Sequence, residues 1–213
     1  WSSDVCSSDL LAVRCFLGDG RPEGILWGLM VFDLAGGRVD LPITGAAVCN
    51  MHPQYSRSTA PALSHDILYL ENHGCVCDAL GKISERWSGA GNDIHVVRDD
   101  GTNLRDLPWG RDGEEVCQGH FCWRGNTEWA IDSTWGVGAG RDGLCRLVEA
   151  RPAPHAGHAG SLTPGGTSND LTAGLRKPAF LHFATDAQGT RLVADTAVEF
   201  DDQGMVHLAA LDE

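Results

Sequence analysis

The chain has 213 residues, with 29 acidic against 16 basic side chains and a formal charge of −13. No basic stripe offsets that balance, which argues against a nucleic-acid partner or an anionic membrane surface, and no apolar run is long enough to span a bilayer. An acidic ligand would need a local positive focus, such as a metal ion or a buried arginine.

The opening stretch WSSDVCSSDL resembles the translation of a sequencing adapter, so native sequence is expected from near Leu11 and both ends are expected to be cut. A start lost in this way leaves a bacterial cytoplasmic or periplasmic location open. The 27 glycines, scattered tryptophans and many short apolar runs between Gly, Asp and Pro turns predict an all-β chain. Eight cysteines include Cys6 of the leader, and the odd remainder offers no disulfide framework and favours reduced thiols.

In chain order, Ile25 to Leu34 is an apolar strand that turns at Asp33-Leu34-Ala35-Gly36-Gly37 and returns over Arg38 to Ile43. A second hairpin of this kind runs from Asp93 to Arg98, through Asp99-Asp100-Gly101, and back over Leu104 to Leu107. Between them, strand Ile67 to Leu70 is expected to stop before the polar, cysteine-bearing loop Leu70 to Asp78, where a rigid scaffold presents functional groups. Leu144 to Glu149 reads as an outer strand, and 151–174 as a long Gly/Pro-rich exposed loop. Phe180 to Leu211 forms the last visible unit, with a turn near Asp201-Asp202-Gln203-Gly204.

Three of these units open alike. His52-Pro53-Gln54-Tyr55 leads to Asp66–Leu70, His120-Phe121-Cys122-Trp123 leads to a short apolar run at Ile131, and His182-Phe183-Ala184-Thr185 leads to Arg191–Asp195. The repeat is longer than the ~40–50 residues of a bare propeller blade but suits blades that carry loops. The expected fold is therefore all-β, a partial β-propeller of about three to four blades, occupying 11–213.

In a propeller the innermost strand of each blade lines the central channel, so a histidine opening that strand in three units would place imidazoles around one mouth. Imidazole suits metal ligation and proton transfer near neutrality. The structural alternative is that each ring bonds a neighbouring backbone group. Gln118 and Glu114 stand near His120 in sequence. A zinc site from Cys75, Cys77, Cys117 and Cys122 with His73 or His120 is a weaker reading, since the usual two-residue knuckle spacing is missing. His155-x-x-His158 has ligand-like spacing in what reads as a mobile loop. Trp109, Trp123, Trp129 and Trp135 are candidates for stacking on sugars or for packing between sheets.

The order HPQYS, ILYLENHG, a D-x-G hairpin and GHFCW resembles the oligogalacturonate lyases, seven-bladed propellers that degrade short pectin fragments; the resemblance covers roughly Val39 to Asp202. It implies His73, in Asn72-His73-Gly74, as the catalytic base, and His120 as a ligand of a divalent metal, manganese in that family. Phe121 stands where the family has Glu. The family's catalytic arginine has two candidate counterparts, Arg38 and Arg57, and its other metal ligands, a Gln and a His-x-His pair, belong to a later blade. His52, Gln54, Glu71 and His182 are expected around substrate or behind the ligands. The implied activity is metal-assisted β-elimination on an acidic oligosaccharide; the rival reading is a non-catalytic propeller that binds a protein or glycan.

Overall fold

The computed structural model describes residues 3–6, 9–21, 24, 26–85, 91–110, 115–137, 144–155, 168–176, 179–196 and 206–211. Among them there is no α-helix, and the chain winds in sequence order through mainly antiparallel sheets, the second and third units being joined by one parallel pair, Trp109 with Glu115.

The first unit is a four-stranded meander: β1 (Ser3–Cys6), β2 (Leu10–Phe16), β3 (Trp27–Asp33) and β4 (Arg38–Gly45). The adapter-like segment thus supplies a strand that pairs with β2. The second unit contains β5 (Gln54–Tyr55) and β6 (Asp66–Asn72), a small side hairpin of β7 (Val76–Cys77) and β8 (Ile83–Glu85), then β9 (Asn92–Arg98) and β10 (Arg105–Gly110). Its sheet order is β5-β6-β9-β10. The third is built from β11 (Glu115–Trp123), β12 (Ala130–Val137), β13 (Arg146–Ala150), β14 (Ala153–Pro154) and β15 (Asn169–Asp170), with order β11-β12-β13-β15. Strand β14 leaves this unit and pairs with β10 of the second. In the fourth, β16 (Phe180–Thr185), β17 (Arg191–Thr196) and β18 (Val206–Ala210) follow one another.

The core lies in seams between successive units. One cluster joins Trp27, Leu29 and Val31 of the first unit to Ile67, Tyr69 and Val97 of the second. Another joins Leu68, Leu70, Ile94 and Trp109 to Phe121, Trp123 and Val148, and a third joins Ile131 and Leu147 to Phe180 and Leu192. A sheet covered on both faces buries side chains at successive positions, so β6 carries the unbroken run Ile67 to Leu70, while in β9 the buried Asp93 and His95 interrupt the apolar positions.

Two sequence expectations change here. Strand β6 does not stop at Leu70, because Glu71 and Asn72 stay in register opposite Asp93 and Asn92, and Asn72 Nδ2 also donates to Asn50 O. Leu144 to Glu149 is not an outer strand, since β15 pairs outside β13. The turn near Asp201–Gly204 lies outside the described residues, as does most of the Gly/Pro-rich stretch between β14 and β15.

Candidate functional site

His52 lies just ahead of β5, His120 lies in β11 and His182 in β16, and each stands three residues before the last residue of the first strand of its unit. The three rings converge. With Gln54, Gly119, Phe121 and Phe183 they line a pocket of ≈ 190 Å³. The His120 and His182 rings lie 4.7 Å apart, edge to face. Gln54 is fixed by donating from Nε2 to Phe121 O at 2.8 Å, while its own carbonyl accepts from Trp123 Nε1 at 3.0 Å. His52 has a φ of 45°, a left-handed conformation unusual for a side chain of this size. Such a residue persists only where its surroundings hold it, and it belongs with sites that use a set geometry.

Burial is the largest influence on His120 and, with His182 and His52 beside it, lowers its pKa to about 4. The ring is therefore neutral at pH 7, the form that ligates metals. His182 pairs through Nδ1 with Asp195 Oδ2 at 2.9 Å, and its backbone N–H donates to Asp195 Oδ1. Desolvation opposes the Asp195 charge, but these bonds from His182 outweigh it and lower the carboxyl pKa. A carboxylate behind one ring nitrogen leaves the other to face a ligand, an arrangement common behind metal-bound histidines. Gln118 and Trp135 lie in described strands, but their side chains, like Glu114 as a whole, fall outside the described residues.

A polar row occupies the second unit, on the sheet face that also carries Tyr69. Residues two apart share a strand face, so Tyr69 and Glu71 on β6, and Asp93 and His95 on β9, point the same way. His73 Nε2 pairs with Asp93 Oδ2 at 2.5 Å, and its Nδ1 stands 4.0 Å from Glu71 Oε1. His95 lies opposite both Tyr69 and Asp106 in register. Its Nδ1 meets Asp106 Oδ1 at 2.8 Å, and its Nε2 faces Glu71 Oε2 at 3.2 Å. That second contact is close but Nε2 forms no well-aligned hydrogen bond, so the attraction is electrostatic. His155 Nδ1 meets the same Asp106 carboxylate from the other side at 2.8 Å. Desolvation of His95 is more than offset by Asp106 and Glu71, and its pKa rises to about 9.

Both groups lie at one end of the sheet. Strands β5 and β6 run antiparallel, and Leu70 N donates to Met51 O, which places His52 beside the end of β6 that leads into His73. A disulfide between Cys49 and Cys75 joins the segments carrying these two histidines. At these two positions it departs from the expectation of reduced thiols, which rested on an odd cysteine count that says nothing about proximity, while Cys15, Cys77, Cys117 and Cys122 carry free thiols. For a bridge with a sequence separation of 26, reduction is expected to lower stability by about 2–4 kcal/mol, read as a shift of the urea midpoint with and without reductant.

The cysteine zinc set is not assembled. Cys75 is in the disulfide, and Cys117 and Cys122 belong to different core clusters. Burial pushes the Cys122 thiol up to about 12 and Cys117 well above its usual value, so neither readily supplies the thiolate that zinc needs. Trp109 and Trp123 are core, with Trp109 fully enclosed, whereas Trp129 is partly exposed beneath the Arg151 guanidinium at 4.7 Å. Arg38 lies on outer strand β4, exposed and paired with Asp40 at 2.8 Å, away from the inner strands. Arg57 follows β5 and is exposed; its charge acts on Cys122 of β11.

No protein-family model and no curated protein matches this chain. Solved structures do. An oligogalacturonate lyase from Vibrio parahaemolyticus superposes with a TM-score of 0.59 at 14% sequence identity, covering 98% of this chain and 50% of that one. An oligogalacturonate lyase in complex with manganese gives 0.57 at 15% identity, over 96% of this chain and 51% of that one. TolB from Acinetobacter baumannii gives 0.59 at 12% identity, over 100% of this chain and 44% of that one. The fold is a partial β-propeller. The chain spans about half the length of the propellers it matches.

In propeller terms the pocket lies where innermost strands of three successive blades meet, and the polar row lies on the second blade's face towards the first. Sequence reasoning singled out His73 and Glu71 but passed over Asp93, His95 and Asp106. The available signal was polar residues at period two, Glu71-x-His73 and Asp93-x-His95, inside otherwise apolar strands. The Gly/Pro-rich sequence around His155 predicts a mobile loop, but β14 holds it against Asp106. His158 lies outside the described residues.

Proposed function

We propose that this propeller acts on an acidic oligosaccharide by β-elimination, in the manner of an oligogalacturonate lyase. The observation that carries this reading is the convergence of His52, His120 and His182 on one pocket, at the sheet end where Asp93 orients His73. In a uronide, base removes the C5 proton, the C4–O bond breaks and a C4=C5 double bond forms, with the leaving oxygen taking a proton. An ionised Asp93 accepts from His73 Nε2–H, which leaves the Nδ1 lone pair as base.

Glu71 and Asp93 both stand beside His73, so a uronate carboxylate brought there meets negative charge and needs a counter-cation. The pocket suits a divalent cation: His120 is neutral, and Asp195 stands behind His182. His120, His182 and His52, with Gln54 alongside, would hold it. Bound there, such a cation, manganese by analogy with the second solved lyase, would neutralise the substrate carboxylate and make the C5 proton more acidic. Arg57, at the end of the same inner strand, is the better placed of the two arginines for a share in that role.

The equal likeness to TolB supports a second reading, a non-catalytic module that binds a protein or glycan. Incubation with oligogalacturonate and Mn2+ separates the two. The lyase reading expects ultraviolet absorbance from the unsaturated product, lost on chelation and in His120→Ala. Saturable binding without product favours the module.

A further inference from the structure

Among the described residues, one group brings three metal-ligating side chains together with all donor atoms within 4.8 Å of one another: His95, Asp106 and His155. It lies outside the pocket of His52, His120 and His182, on the outer half of the second blade. We propose that this group is a second metal site, binding Zn2+ through His95 Nδ1, His155 Nδ1 and an Asp106 oxygen.

The geometry is close to what zinc asks for. Zn–N and Zn–O bonds of about 2.0–2.1 Å in a tetrahedron put neighbouring donors roughly 3.4 Å apart. Here both Nδ1 atoms stand 2.8 Å from Asp106 oxygens, so a small outward movement of the two rings makes room. Two imidazoles and one carboxylate form a donor set that zinc takes readily while leaving a position for water. His155 is partly exposed and gives solvent and ion a way in, whereas His95 and Asp106 are buried.

A second carboxylate stands behind the His95 ring, where a metal-bound histidine would use one. Metal-bound histidines usually direct the second ring N–H at a carboxylate, which fixes the tautomer and the ring plane. The His95 Nε2 faces Glu71 Oε2 at 3.2 Å, and its ring rests against Tyr69 at 5.4 Å. The backbone also places the third ligand: Ala153 and Pro154 pair with Asp106 and Arg105, and His155 N donates to Leu104 O. Metal here would tie a segment leaving the third blade to the outer edge of the second. Binding releases the Nδ1 protons to solvent and replaces the hydrogen bonds from the two Nδ1 atoms to Asp106 with bonds from these three side chains to the metal.

The test is a titration of chelator-treated protein with Zn2+ and with Co2+, carried out on His120→Ala so that the pocket cannot compete. One ion per chain is expected, with the intense visible bands of tetrahedral Co2+ and no thiolate charge transfer, and a melting midpoint that rises with Zn2+. His155→Gln in the same background should weaken binding by at least about 100-fold, and Glu71→Gln by about 10–100-fold. No uptake by His120→Ala, uptake unchanged by both further substitutions, or Co2+ bands of thiolate ligation would each overturn the site. Because the readout is uptake in a pocket-disabled protein, it stands apart from the lyase assay.

Discussion

Arg105→Met is expected to lower the unfolding free energy by about 3–5 kcal/mol. Asp66 opens β6 and is completely buried, and Arg105, opening β10, reaches across β9 to place a guanidinium nitrogen 2.6 Å from its carboxylate. Neither Asp66 oxygen gains an aligned hydrogen bond from it, so the contact is charge on charge. Burial raises the Asp66 carboxyl pKa more than Arg105 lowers it. The pair is thus incompletely compensated, and removing the cation leaves the buried carboxylate with only the charge of Arg98 to favour it.

The pH dependence has a definite sign. A carboxyl whose folded pKa lies above its unfolded value, about 3.9, contributes stability below that value and loses it as pH rises through the folded pKa. Without Arg105 the folded pKa climbs further, so the penalty should be full at neutral pH and shrink towards pH 4. Urea unfolding of wild type, Arg105→Met and Asp66→Leu/Arg105→Met at two pH values checks this. The double substitution should recover most of the loss. A single-substitution loss under about 1 kcal/mol at neutral pH would mean that water already reaches Asp66.

The parts of the fold that could be read from sequence are those set by local pattern. Unbroken apolar runs such as ILYL mark strands covered on both faces, and Asp-Gly turns separate them, so both predicted hairpins appear as β3–β4 and β9–β10. The recurrence of His52, His120 and His182 is visible because each occupies the same place in its blade. What pattern does not carry is partnership across the sheet. Asp93, His95 and Asp106 look like hairpin residues until β6, β9 and β10 are laid side by side. The Cys49–Cys75 pairing depends on two loops meeting, and β14 is two residues from a Pro/Ala stretch whose only strand signal is its partner. Glu71 and Asn72 prolong β6 because their backbones stay paired with β9 and Asn72 N donates to Ala47 O, partners that composition alone does not reveal.

For elimination on oligogalacturonate, His73→Ala should reduce the rate by roughly 10²–10⁴-fold, the usual contribution of a positioned general base. Asp93→Asn is the more telling change. It keeps the size of the side chain, but an amide can either accept from His73 Nε2–H or donate to Nε2, so the tautomer with Nδ1 as base is no longer enforced. The fall should be in kcat, with KM little altered, because in this reading Asp93 acts through the imidazole it contacts. Arg57→Ala and Arg38→Ala divide the remaining question. Arg38 is exposed on an outer strand and held by Asp40, so its loss should leave elimination unchanged, whereas Arg57 follows the inner strand that begins at the pocket. If His73→Ala keeps more than a tenth of the rate while His120→Ala loses it, the proton is taken by another group. The pocket histidines would then carry the chemistry, and Asp93 would serve only to fold the end of β6.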